Sequence, residues 1–283
     1  MQSWQLGAYD ASGKRTPRGW ADLGFDLDHR LTTQALSKSG SESCTRVEGS
    51  PNSIATDGRD GIDNQFGSQL VPLLYAACPS TLHGNIPVRD SFTLLLRLDD
   101  AATADDPSAP GSLFVLRRSV GEDWTLDDAL LEKGEFVSKI RFPGGFVRDG
   151  RWWSGPSGMH LPLELPLCGA SVPLDLELGA LSVELDGGAG MLGGFARSTA
   201  IDAGLGVLLR VNGACPGTST YDQFVHTVIL GLDVVADAPN LQEVGRVCDS
   251  LTVGLGFVAE PMTPPRAHGP FVRPEAVDEC KKP

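Results

Sequence analysis

Leu161-Pro162-Leu163-Glu164-Leu165-Pro166-Leu167 carries an apolar side chain at every second position. Successive side chains of a strand point to opposite faces, so the run puts four leucines on one face and Pro162, Glu164 and Pro166 on the other. Its prolines lack an N–H and place it at a sheet edge. The same period continues through 172–178 and 180–185, with Asp175, Glu177 and Glu184 facing outward. Asp186-Gly187-Gly188-Ala189-Gly190 reads as a turn, and 191–196 returns as a Gly-rich strand. There Gly193 and Gly194 mark a bulge or the close approach of another backbone segment, more simply a crossing strand than a ligand. The stretch 161–196 is therefore hairpin territory. It sets the expectation for the whole chain: a β-rich α+β protein with a sandwich-like antiparallel sheet core and several short helices.

Upstream, 92–98 and 113–120 are strand-length apolar runs, 136–142 alternates, and 146–153 centres on Asp149-Gly150, the two-residue hairpin signal. Trp152 and Trp153 are adjacent in a strand, so one faces the core. Residues 124–133 read as one short helix. Downstream, Ile201, Leu205, Leu208 and Leu209 share a helical face, as do Phe224, Val228 and Leu232 after a cap at Thr218, Ser219 or Thr220. A last strand covers 251–258. The expected organisation is a loose N-terminal arm at 1–22, a single β-rich domain at 23–260 and a Pro-rich C-terminal tail at 261–283.

The chain has 283 residues and a formal charge of -13, which repels nucleic acid and anionic membrane surfaces and favours cations and basic partners. With 34 glycines, 20 prolines and only 7% aromatics, turns and strands are favoured over long helices. No apolar run reaches the roughly 18 residues of a membrane span. Cys44, Cys78, Cys168, Cys215, Cys248 and Cys280 lie far apart, with no Cys-x-x-Cys. Widely spaced cysteines in even number suit disulfides in an oxidising compartment, against free thiols in a cytosolic protein. The expected bridges are Cys44 to Cys78 and Cys215 to Cys248, with Cys280 holding the tail. Met1-Gln2-Ser3-Trp4 carries no basic or apolar leader, so export implies a mature form whose leader has been removed.

Chemistry is concentrated in Asp57-Gly58-Arg59-Asp60-Gly61-Ile62-Asp63-Asn64-Gln65-Phe66-Gly67. Calcium takes six to eight oxygens, and Asp57, Asp60, Asp63 and Asn64 are of the right type. Their spacing is not that of an EF-hand loop, which ends in a bidentate Glu at the twelfth position. Further ligands must then come from elsewhere, and Asp26 and Asp28 of Gly24-Phe25-Asp26-Leu27-Asp28, on one face of a short strand, are the candidates. The rival reading needs no metal: Asp60 or Asp63 caps a helix over 63–77, kinked or started at Pro72 and closed by Cys78-Pro79. Residues 31–56 read as a long surface loop tethered at Cys44.

Gly24-Phe25-Asp26-Leu27-Asp28, Cys44, 60–67 and Cys248 followed by Ser250-Leu251-Thr252-Val253-Gly254-Leu255-Gly256-Phe257 together resemble exported or lipid-anchored bacterial proteins of myxobacterial type. The resemblance implies an extracellular or cell-envelope location and brings no activity. Asp-Gly-Ile-Asp-Asn is also similar to the calcium loops of thrombospondin type 3 repeats, here in a single copy.

Enzyme signatures are missing: His29, His83, His160, His226 and His268 are scattered singly, and no Gly-rich segment ends in Gly-Lys-Ser/Thr. The expectation is a binding or structural protein, stabilised by calcium, whose partner is a surface protein or glycan and not nucleic acid. The competing class is a lectin or glycoside hydrolase using Glu164, Asp175, Glu177 and Glu184, which otherwise form the solvated face of a sheet.

Overall fold

The computed structural model describes residues 1–7, 14, 16, 18–33, 44–45, 55–77, 86–87, 92–99, 105–118, 123–133, 135–270 and 278–281. Within them the chain forms two sheets, antiparallel at every pairing but one, and few helices. The fold is a β-rich α+β sandwich.

The larger, eight-stranded sheet is ordered β2 (Ile86–Pro87), β1 (Ser3–Gln5), β12 (Ser250–Val258), β11 (Ala189–Arg197), β10 (Ala170–Glu184), β8 (Arg151–Trp153) and β7 (Phe146–Arg148). Among the described residues, strand β9 (Met159–Leu167) pairs with β10 alone and is an edge strand, as its prolines require. Strand β10 is one 15-residue strand across the two periodic runs. The break between the runs is a bulge where the register with β11 shifts between Leu178 and Ala180. The β7–β8 turn has Asp149 and Gly150 both at positive φ, 52° and 70°. That is the geometry Asp-Gly selects in a two-residue hairpin.

The five-stranded sheet runs β13 (His268–Gly269), β5 (Thr125–Asp127), β4 (Gly111–Arg117) and β3 (Phe92–Leu98), with β6 (Ile140–Phe142) also paired to β4. The two sheets share one core, in which Phe92, Leu113 and Phe142 meet Trp152, Leu161 and Leu163. Trp152 is fully buried and donates to the Ala109 carbonyl at 2.7 Å, while Trp153 is half-exposed. Helix α1 (Val71–Ala77) follows a π-helical turn at Phe66–Leu70; α2 (Ser198–Val211) packs on β10, and α3 (Ser219–Leu230) is capped by Thr218, whose side chain accepts from the Tyr221 N–H. Pro72 has no N–H to give, and the wider π turn lies directly before it.

Several expectations are corrected. Ser3–Gln5 of the supposed loose arm is a core strand with Trp4 fully buried, because the apolar side chain alternates with polar neighbours and is inserted between β2 and β12. Within 261–283, His268–Gly269 pairs with β5, whereas Cys280 does hold the tail as expected, through its bond to Cys215. The expected helix at 124–133 is β5 followed by a single 3-10 turn, and only 140–142 of the alternating 136–142 run is strand. Cys44 bonds to Cys248 and not Cys78, and Cys215 to Cys280 and not Cys248. Cys168 is also disulfide-bonded. Spacing along the chain could not supply these pairings, since six cysteines permit 15. Cys78 and most of the 31–56 loop lie outside the described residues.

Glu164 is not on a solvated face. It is buried and ion-paired with Arg117, which also holds Asp127 at 2.9 Å; Ser171 donates to the second Glu164 oxygen at 2.8 Å. This buried triad fastens β9 of one sheet to β4 and β5 of the other, and a buried charge is tolerable only when paired and hydrogen-bonded in this way.

Candidate metal centre

Two loops interlock on the open face of β11 and β12. Phe25 and Asp63 form an isolated antiparallel bridge, with the Asp63 N–H donating to the Phe25 carbonyl at 2.9 Å. Residues 24–28 are thus a bridged loop and not a strand. The loops can lie flat because the sheet beneath has no side chains at critical points. A Cβ on Gly254 would stand 2.2 Å from the Leu23 carbonyl oxygen and 2.9 Å from the Asn64 side chain. Phe25 crosses β11 at Gly193, so the close approach expected there is made by this loop.

The interlock brings together carboxylates that the sequence separates. Asp26, Asp28 and Asp63 each offer one oxygen, all within 4.8 Å of one another. Ligands of one calcium ion stand at most about 5.2 Å apart, twice the longest Ca–O distance, so the trio fits around a single ion. Asp63 Oδ2 accepts from the Leu27 N–H at 2.7 Å and the Asp28 N–H at 3.2 Å. Asp28 accepts from the Arg30 N–H and from Gln242 Nε2, both at 2.9 Å. Asp26 Oδ1 is shut off from solvent and has no hydrogen-bond partner. Gly61, at φ +88°, folds over this carboxyl; a Cβ there would lie 3.2 Å from Asp26 Oδ2.

The other candidates fall in different places. Asp57 is buried nearby and accepts from the Thr32 N–H. Asp60 is exposed, at φ 54°, and is not among the clustered carboxylates. Asn64 is fully buried and its amide is already saturated. Nδ2 donates to the carbonyls of Trp20, Leu23 and Gly254, and Oδ1 accepts from the N–H groups of Gly67 and Gly254. The bond to Gly67, three residues on, is the helix cap; it comes from Asn64, while Asp63 turns to the other loop. Asp233 and Gln242 had no sequence signal, since each is brought in by tertiary structure alone. Thr252 gives Asp233 its N–H at 2.9 Å and its hydroxyl at 2.7 Å, and the same hydroxyl accepts from the Gln65 N–H.

No known family model, curated protein or solved structure matches the chain. The site is therefore read from its own electrostatics. Burial, then the charges of Asp28, Asp57 and Asp233, holds the Asp63 carboxyl well above the usual carboxylate range. Burial raises Asp57 to about 7 against the hydrogen bond from Thr32, with Asp28, Asp233 and Asp26 adding to the rise. Burial also raises Asp28, opposed by its bonds from Gln242 and Arg30. Four buried carboxyls, Asp28, Asp57, Asp63 and Asp233, thus crowd a region of low water access with Asp26 at its more exposed side, and a positive charge held there would favour their ionised forms. The donors are oxygens only, which suits a hard divalent cation.

Proposed function

We propose that this is an exported bacterial binding or structural protein whose two interlocked loops are fixed by calcium held at Asp26, Asp28 and Asp63. Asp57 lies at the margin of the site. The observation that carries the reading is the convergence of these three carboxylates, 37 positions apart at their extremes, with one buried oxygen of Asp26 left without any partner. The disulfides are compatible with an extracellular or envelope location, and no helix among the described residues is long and apolar enough to cross a membrane. Exported or lipid-anchored proteins of the kind the sequence resembles would carry such a domain outside the cytoplasm.

The sheet carboxylates show no comparable convergence. Glu164 is committed to Arg117 and Ser171, Glu184 is paired with Arg151, and Asp175 lies 3.5 Å from His160. The test is thermal unfolding with chelator or calcium. A ligand that binds only the folded state stabilises by about 2.7 kcal/mol at a hundredfold excess over Kd, which is about 5 °C or more for a chain of this size. The shift is expected in the wild type and in Asp60→Ala, and is expected to vanish in Asp63→Asn. No shift at millimolar calcium sinks the proposal.

A further inference from the structure

Among the described residues, strand β3 has only β4 as a sheet partner and forms an edge of the smaller sheet. The Asp99 N–H donates across to the Pro110 carbonyl, so odd-numbered residues of this strand turn their backbone groups toward β4 and even-numbered ones away from it. Leu94 confirms the direction, since its outward carbonyl accepts from the Met1 amino group at 2.7 Å. The next outward groups, those of Leu96 and Leu98, have no partner among the described residues. They face a cleft of about 740 Å³ between this edge and the β10–β11 turn. Leu95, Leu96, Leu98 and Trp124 supply its apolar lining; Asp186 and Glu260 set an acidic rim facing Arg118 and the Met1 amino group, and Glu184 beside them is paired with Arg151.

An open strand edge is a template for another strand, and native proteins cover it unless it has a use. We propose that this cleft binds an extended peptide segment of a partner protein, alternating apolar and basic residues, which adds to the β3 edge. Its main chain pairs with Leu96 and Leu98. Apolar side chains on one side enter the leucine-lined cleft, and basic ones on the other meet Asp186 and Glu260, in keeping with a net charge of -13. The inference does not depend on the cation site.

The test is fluorescence anisotropy of a labelled, end-blocked peptide of alternating lysine and valine against the full chain. Leu96→Pro removes one outward donor without touching the β4 ladder, a position where a sheet edge accepts proline. Binding is expected to weaken about tenfold or more in this variant. It should weaken similarly in Asp186→Lys, and for a peptide N-methylated at alternate residues, which keeps the experiment decisive if Leu96→Pro fails to fold. The proposal is overturned if the unmodified peptide does not bind or if N-methylation leaves binding unchanged. It is also overturned if sedimentation shows the edge closed by a second copy of this chain.

Discussion

Asn64 and Asp63 are neighbours with opposite duties. Asn64 spends both amide atoms on five backbone groups, so Asn64→Asp removes the two N–H donors shared among three carbonyls and sets a carboxylate against those carbonyls. The variant should lose about 2 to 5 kcal/mol of stability in denaturant unfolding, as buried network losses do. If Asn64 were a ligand, the same change would tighten calcium instead. Asp57 gives the site a pH signature. Its carboxyl titrates near 7 in the folded chain against 3.8 for an unperturbed one. Between these values the folded state binds more protons than the unfolded state, so the chelated protein is most stable at the acid end and loses stability as pH rises from about 4 to about 7. The upward shift of Asp63, to about 10, carries the loss to higher pH, and that of Asp28 has the same sign. Calcium replaces the protons, so its stabilisation should be larger at pH 8 than at pH 5.5; melts at both values check this. An equal shift at both would mean that these carboxyls are not the ligands.

The disulfides and the buried triad are tests at the level of elements. Cys44–Cys248 spans 204 positions and Cys215–Cys280 spans 65. On the loop-closure account, removing the first by double Ser substitution should cost about 1 kcal/mol more than removing the second. Cys44 also borders the acidic site, since its N–H donates to Gln242 Oε1 while Gln242 Nε2 holds Asp28. Arg117→Ala should cost about 3 to 5 kcal/mol because two buried carboxylates lose their cation, and an apolar replacement of all three members should recover most of that. Denaturant melts measure both. The strands were legible where the period of two met one buried face, as in 161–185, and at Asp149-Gly150, where turn chemistry is local. The period gave no warning that Glu164 is buried, because it reports which face a side chain takes and not what covers that face. The helix cap was misread for a related reason: Asp63 and Asn64 are both competent caps, and only the approach of 24–28 decides which one turns away.

At the scale of the whole molecule, the Gly-rich faces of β11 and β12 are what bring the two loops together. They admit two loops at close range, the loops interlock through Asp63, and the interlock gathers carboxyls from 26, 28, 57, 63 and 233. Half of this was readable, in that an acidic stretch with too few ligands of its own pointed to Asp26 and Asp28. The contributions of Asp233 and Gln242 were not, since they arrive from the far end of the chain through β12 and Cys248. A crystal structure of the protein grown with calcium is the direct test. An ion is expected between Asp26, Asp28 and Asp63, at about 2.3 to 2.6 Å from one oxygen of each. Density showing the three carboxyls in place with no ion among them at saturating calcium would contradict it.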